Sequence, residues 1–415
     1  MLLSERPNLS QLKSFSIYGL FGFKDVKIPF DKEAVILIAE NGAGKTTILN
    51  ALYYSITGKF DRLSTIDFES VNLEFTSGVN FEIKKEELFF YNKNETKSET
   101  ADSLNTYFYI LGSIGSGVEK SHKDEIPEKI RNIINLIKKN LHESILYFPT
   151  YRRIEEDIKN LGYEKRLFKD SDDRLIQFGM DDVIAKINKI EENIREETFN
   201  LLPKVNGEML TQFVEGITPT KEMRDSIQPE TLSIVLSRVG DNISQKEKNK
   251  IEKLVNSGEI NTAKYDQLVY FLSKLLSLYE QQKEKDDSIK QFAKMCNKYL
   301  TKKQIIYDEP STKISIVQKL NNKPSKPIDI RNLSSGEKQI ISLFSKIYLE
   351  SENEYIILFD EPELSLSLEW QKHLLPDILN SGKCRLLVAV THSPFIFDNE
   401  LDANAIDLDD FVTER

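Results

Sequence analysis

Apolar positions at the start of the chain fall into short runs, Phe15 to Tyr18, Val26 to Phe30 and Ala34 to Ile38, separated by glycine or charged turns. Their aromatic and β-branched content predicts strands, the third of them buried. Next comes AENGAGKTTILNALYYSITG, Ala39 to Gly58, in which a glycine-bearing loop gives way to an amphipathic helix opening at Lys45. Towards the other end, Tyr355 to Asp360 and Arg385 to Val390 read as two more buried strands. Between these regions lies a helical stretch, about Ile154 to Lys303, in which Val183, Ile187, Ile190 and Ile194 have the spacing of a coiled-coil seam that Pro203 is expected to end. Leu268 to Leu278 is a second amphipathic stretch, apolar enough to be buried. The pattern predicts an α/β fold split by a helical insertion, with residues 1–153 and 305–415 forming one head and 154–304 the insertion.

Composition removes several alternatives. With 415 residues, 40% hydrophobic and 29% charged, the chain can bury a large core. It has no run of about 18 apolar residues, and MLLSERPNLSQ lacks the parts of a signal peptide, so a cytoplasmic protein is expected. The two cysteines, Cys296 and Cys384, make neither a disulfide framework nor a zinc site and are expected to be packing residues. A net charge of -10 argues against a surface that coats nucleic acid indiscriminately.

A buried strand, a glycine loop and a helix in that order form the setting of a P-loop. Gly42 and Gly44, with Asn41 and Ala43 beside them, let backbone amides turn inward as an anion nest, and the helix opening at Lys45 adds its positive end. Lys45 would reach the β and γ phosphates of ATP, Thr46 would place its hydroxyl on Mg²⁺, and Thr47 and Asn41 would add phosphate contacts. Ala39 stands where GxxxxGK[ST] has its first glycine, a change tolerated where φ is negative.

Asp360 and Glu361 close the YIILFD strand and are followed by Pro362 and Glu363. Alone, such a pair is a solvated turn; beside a P-loop, Asp360 suits a magnesium partner held through water and Glu361 a general base for the attacking water. The segment Asn332 to Gln339 alone would be a well-capped helix start. Its LSSGEKQ, placed shortly before the acidic strand, resembles the signature of ABC ATPases. That resemblance implies an ABC-type P-loop ATPase head with a mostly helical insertion, and a head-to-tail dimer with two composite sites. In each site Ser334, Ser335, Gly336 and Glu337 of one copy would face the γ-phosphate held by the other copy's P-loop, with Ser335 in place of the usual first glycine. Leu364 to Leu366 matches the D-loop, the family's contact between the two copies. Thr391-His392-Ser393-Pro394 matches the switch histidine, so Lys45, Glu361 and His392 are the expected catalytic residues. For the Q-loop there are two candidates, Gln177 and the segment Tyr147 to Arg153.

LSSGEKQIISL, FDEPELSLSLEWQ and THSPFIFDN, together with FGFKDVKIPF, LNALYY and YFPTYRRIEEDI, resemble ATPases of bacterial anti-phage systems related to the overcoming-lysogenisation-defect nucleases. Among these they are most similar to the ATPase subunits of PARIS systems, with Septu ATPases close by. The resemblance implies a symmetric homo-oligomer, a separate nuclease subunit of TOPRIM type, and viral DNA-mimic proteins as triggers. The alternative is a repair or recombination ATPase that clamps DNA directly; the ATPase of a transporter fits the acidic motif less well. Only residues 393–415 follow His392, too few for a TOPRIM domain, so no nuclease activity is expected of the chain itself. Lys290, Lys294, Lys298 and Lys302, four residues apart, would form one basic stripe on a helix, a candidate surface for an acidic trigger or nucleic acid.

Overall fold

The computed structural model describes residues 2–40, 42–88, 127–149, 180–216, 218–240, 243–320, 323–350 and 354–415. The chain divides into two compact units, Met1–Phe178 with Ser351–Arg415, and Gly179–Glu350.

The first unit contains two five-stranded sheets. Strands β1 (Leu12–Leu20), β2 (Lys24–Pro29), β4 (Ser70–Phe75), β5 (Asn80–Lys84) and β13 (Val412–Glu414) form an antiparallel sheet in the order β13-β2-β1-β4-β5. The second sheet, in the order β12-β3-β11-β10-β6, is parallel throughout and uses β3 (Ala34–Ile38), β6 (Ser144–Phe148), β10 (Tyr355–Asp360), β11 (Cys384–Thr391) and β12 (Ala405–Asp407). Every residue of β10 is buried, the reason its sequence is a continuous apolar run instead of an alternating one. Helix α1 (Lys45–Thr57) contributes Ile48, Leu49, Leu52, Tyr53 and Ile56 to a core shared with residues of both sheets. Phe148 of β6 stacks on Phe359 of β10 with ring centroids 4.7 Å apart, and the Tyr147 hydroxyl donates to Asn50 Oδ1 at 2.7 Å, which ties α1 to the sheet. Helices α2 (Glu128–Asn140) and α8 (Leu368–Leu379) complete the unit.

The second unit is mostly helical, with α3 (Asp181–Glu215), α4 (Pro229–Arg238), α5 (Gln245–Asn256), α6 (Asp266–Tyr299) and α7 (Ser335–Leu349), plus an antiparallel sheet of β7 (Lys303–Asp308), β8 (Lys313–Leu320) and β9 (Lys323–Pro327). Leu268 to Leu278 lies within α6, whose Val269, Leu272, Leu275 and Leu276 join Leu232 and Leu236 of α4 in one apolar cluster. Cys296 and Cys384 are both buried.

Three sequence expectations change. Pro203 does not end the coiled-coil-like segment: α3 runs through it to Glu215, because a helix of 35 residues keeps its hydrogen-bond ladder on either side of the one lost N–H. The unit boundaries fall near 178/179 and 350/351, not 153/154 and 304/305, so the helix of the signature-like segment groups with the insertion. The physical cause is packing of α7 on α6, where Phe344 and Tyr299 have ring centroids 5.8 Å apart. The lysine stripe is shorter than its spacing suggests. Helix α6 ends at Tyr299, before Lys302; Lys290, Lys294 and Lys298 are its exposed helical members, and Lys290 is paired with the Glu309 carboxylate at 2.8 Å.

Lys290 belongs to a polar network inside the helical unit. Arg238, whose side chain is almost wholly covered, pairs with the buried Asp286 at 2.7 Å, donates to Gln282 Oε1 at 3.0 Å and to the Glu309 carbonyl at 3.2 Å, and lies over the Tyr279 ring. Tyr307 donates to Asp286 and Tyr279 to Glu309, and burial with these carboxylates as acceptors pushes both phenols above their ordinary pKa. Removing one partner of such a pair strands the other charge. Arg238→Met is expected to cost about 3–5 kcal/mol, read as a lower urea midpoint for loss of helical circular dichroism, whereas Arg238→Met combined with Asp286→Leu should recover part of it.

Candidate functional site

Strand register gathers the candidate residues at one edge of the parallel sheet. Ile38, the last residue of β3, pairs with Thr391 of β11, and Val390 pairs with Asp360 of β10. The loop leaving β3, the histidine after β11 and the acidic pair after β10 therefore emerge side by side at the carboxyl ends of adjacent strands, where open parallel sheets hold ligands.

Gly42 and Gly44 have φ of +88° and +91° in that loop, a conformation that costs other L-residues about 1–2 kcal/mol. At Gly44 there is a second reason for glycine: a Phe21 ring carbon lies 3.1 Å from where a Cβ would stand. Ala39 does not have a positive φ, so its replacement of glycine introduces no strain. Ala43 N donates to the Glu40 carbonyl at 3.3 Å, closing the turn, and Asn41 lies outside the described residues. Gly44 caps α1 with no side-chain acceptor, so the amides of the first turn, at Lys45, Thr46 and Thr47, form an uncapped helix N-terminus of the kind that binds anions.

The Lys45 side chain is buried and folds along its own loop, donating to the carbonyls of Ala39 at 2.7 Å and Glu40 at 2.8 Å. His392 Nδ1 stands 3.3 Å from the same ammonium. An ammonium can only donate, so Nδ1 accepts and a neutral ring carries its proton on Nε2, which lies 3.5 Å from Glu361 Oε1. Thr46 Oγ1 is 3.0 Å and 3.2 Å from the two oxygens of the fully buried Asp360. Lys45, Thr46, Asp360, Glu361 and His392 thus form one connected cluster.

Burial pushes the Glu361 carboxyl above its ordinary pKa, and the neighbouring charges of Asp360 and Glu363 push it further. Burial likewise lowers the Lys45 ammonium, while Glu361, Asp360 and Glu363 oppose that shift. Glu361 has φ of +49°, a strained conformation for a side-chain-bearing residue, and its N–H donates to the Val390 carbonyl at 2.9 Å. That bond fixes the turn at which the chain leaves β10.

Sequence reasoning gave no role to Glu363, Gln371, Ser393 or Phe21. Glu363 Oε1 accepts from the backbone amides of His392 at 2.9 Å and Ser393 at 3.2 Å. Gln371, buried on α8, donates to the carbonyls of Leu366 at 3.1 Å and Glu363 at 3.3 Å and accepts the Ser393 hydroxyl at 2.7 Å. A third acid after the strand and an amide eight residues beyond it were visible, but nothing in their spacing says they hold the histidine loop. Of the Q-loop candidates, Tyr147 and Phe148 are core packing residues, while Gln177 and Thr150 to Arg153 lie outside the described residues.

The signature-like residues belong to the second unit. Ser334 caps α7 in a capping box: its Oγ accepts from Glu337 N at 3.4 Å, and Glu337 Oε2 accepts from Ser334 N at 2.7 Å and Ser334 Oγ at 2.9 Å. Lys303 Nζ pairs with the same Glu337 oxygen at 2.6 Å. Ser334 and Ser335 are exposed and Gly336 is buried.

A family model described as AAA ATPase domain matches residues 11–397, a span that takes in the whole cluster. The chain belongs to that family, AAA_15. A curated relative, the Retron Vc95 probable ATPase of Vibrio cholerae serotype O1 biovar El Tor, is 23% identical over 402 residues, covering 93% of this chain and 71% of the relative. Among solved structures, the Smc head bound to the C-winged helix domain of ScpA aligns over 94% of this chain and 91% of its own at 11% identity and a TM-score of 0.37. The Smc head domain with an extended coiled coil bound to the C-terminal domain of ScpA, derived from Pyrococcus furiosus, aligns over 97% and 96% at 16% identity and a TM-score of 0.34.

The chain is thus an AAA-family ATPase with an α/β unit that carries the cluster and a second, mostly helical unit. Lys45→Ala is expected to abolish ATP binding, measured with a fluorescent nucleotide, because it removes the cation that spans the phosphate loop. Glu361→Gln should bind normally and lose turnover by a factor of about 10²–10⁴, the usual range for a general base. The raised Glu361 pKa also gives a sign. With Glu361 as the proposed general base its carboxylate must be ionised, so kcat/KM should rise with pH along an acid limb displaced upward from that of an ordinary carboxylate. Glu363→Gln, which removes one of the charges raising Glu361, should move that limb to lower pH in a steady-state pH profile.

Proposed function

We propose that this ATPase is the nucleotide-driven sensor and scaffold subunit of a bacterial anti-phage defence system, controlling a separate nuclease. The observation that carries the catalytic part is the single connected cluster of Lys45, Thr46, Asp360, Glu361 and His392. Within it Lys45 binds the β and γ phosphates, Glu361 takes a proton from the attacking water, and His392 contacts the γ-phosphate. The donor set fits a magnesium-type cation: a hydroxyl and a buried carboxylate, both oxygen donors, already face each other beside the phosphate loop. Thr46 and Asp360 would hold that ion, whose contribution is to neutralise phosphate charge.

Two copies would assemble head to tail, with Ser334, Ser335 and Gly336 of one copy closing the site of the other, and larger homo-oligomers could be built from such pairs. The exposed helix start at Ser334 supports this arrangement. The defence reading is supported by the retron in the name of the Vibrio relative and by the resemblance of both ends of the chain to anti-phage ATPases, PARIS systems above all. On that reading a TOPRIM-type nuclease is the partner and an acidic DNA-mimic protein the trigger. Among the described residues no helix is long and apolar enough to cross a membrane, and no membrane partner is invoked.

Mixing a Lys45→Ala chain with a Ser334→Arg chain tests the composite site. Each variant alone should be inactive, and the mixture should regain about one working site per mixed pair. A mixture that stays inactive while mixed pairs form excludes action of the signature in trans. Purification from the native operon tests the partner: a co-purifying nuclease supports the defence reading, while steeply salt-dependent DNA binding by the isolated chain favours a repair ATPase.

A further inference from the structure

The histidine loop is fastened by residues that no phosphate-binding motif contains. After Glu361 the chain makes a tight turn, with Leu364 N donating to Glu361 O at 3.2 Å and Leu366 N to Glu363 O at 3.1 Å, and Ser365 has φ of +65°. Ser367 then caps α8, its Oγ accepting from Trp370 N, and the next helical residue, Gln371, points its amide back under the turn. Both kinds of atom in that amide are used. Nε2 donates to two carbonyls of the turn, at Glu363 and Leu366, and Oε1 accepts the hydroxyl proton of Ser393, the neighbour of His392. Ser393 N is held in addition by Glu363 Oε1 and by Thr391 Oγ1 at 3.0 Å.

We propose that Gln371 is a positioning residue for His392, joining the turn after the acidic pair to the histidine loop through one buried amide. Leu364 and Leu368, beside that turn, are exposed, so a surface contact there has a short hydrogen-bonded route to the ring that faces Lys45 and Glu361. The route runs from the Glu363 and Leu366 carbonyls to Gln371, then to the Ser393 hydroxyl and the adjoining His392. A glutamine suits the task because it donates and accepts at once; methionine fills the same volume and does neither. A residue without a hydroxyl at 393 would remove the partner that Oε1 of the buried Gln371 has in this structure. The inference rests on the reading of His392 as a group that acts on the γ-phosphate.

The test uses the full chain and reads kcat, KM and the affinity for a fluorescent ATP analogue. Gln371→Met is expected to lower kcat about ten-fold or more while analogue affinity stays within about two-fold, and Ser393→Ala, a small change at a half-buried position, should lower kcat in the same direction. In a His392→Ala background Gln371→Met should cost less than about a further two-fold, because a residue acting through the histidine has nothing left to position. Multiplication of the two losses, an unchanged rate in Ser393→Ala, or parallel loss of affinity and thermal stability in Gln371→Met would overturn the proposal. Full activity of His392→Ala would instead overturn the reading of His392 on which it rests, so the two failures are distinguishable.

Discussion

One ammonium among three carboxylates is the constraint on which this head is built. Lys45 is enclosed at the carboxyl edge of the parallel sheet with Asp360, Glu361 and Glu363 nearby; burial first and then the charges of Asp360 and Glu363 raise Glu361, and all three carboxylates oppose the desolvation of Lys45. Counted as ionised groups, the cluster is more negative than positive, yet the ligand that the loop amides and helix end select is an anion. A polyphosphate arriving alone would meet repulsion from the acidic side of the site. A nucleotide carrying a divalent cation would not, which is a physical reason for the Thr46 hydroxyl and the Asp360 carboxylate to face each other.

Such a charge cluster is useful only if it is rigid, and the sheet supplies the rigidity. Asp360 ends a strand paired on both sides, with β6 and β11, and Phe359 just before it is locked by stacking on Phe148. Tyr147 and Asn50 then tie the neighbouring strand to α1, whose first turn carries Lys45 and Thr46. The elements that bring phosphate-binding and acidic groups together are therefore also those that form the core. The histidine is anchored differently. His392 stands just beyond a strand end, and its orientation depends on Glu363 and Gln371, side chains of a turn and a helix start. The sheet core thus holds Lys45, Thr46 and Asp360, whereas side chain-to-loop hydrogen bonds hold His392.

The parts legible from sequence were those whose chemistry is local. Gly42, Gly44, Lys45 and Thr46 occupy consecutive turns of one loop and helix, and Asp360 and Glu361 end one apolar strand, so spacing along the chain carries most of their geometry. Gln371 and Ser393 meet across 22 residues, and their pairing follows from the course of α8 and β11, which no local pattern records. The pairing of Lys290 is hidden for a similar reason: helical spacing places it on an exposed face but does not reveal that Glu309, from the turn after β7, comes to meet it. Pro203 is unfavourable within a helix but does not stop this one, because α3 retains its hydrogen bonds on either side of the one that proline cannot make.

Helix α7 presents the complementary problem of a site already satisfied by its own residues. The amide and hydroxyl of Ser334 both donate to Glu337, and Lys303 neutralises that carboxylate from the side. A phosphate approaching Ser334 would have to replace a charged acceptor with another of greater charge, and the displaced Glu337 would keep Lys303 as its partner. Exchanging one anionic acceptor for another is nearly balanced in hydrogen bonds, so the preference is set by charge and by how closely the phosphate is delivered. In the proposed head-to-tail pair, a second, nucleotide-loaded head would provide delivery of that kind, and free nucleotide in solution would not. The capping box is thereby compatible with a helix start that is stable when alone and still available to an anion presented at short range.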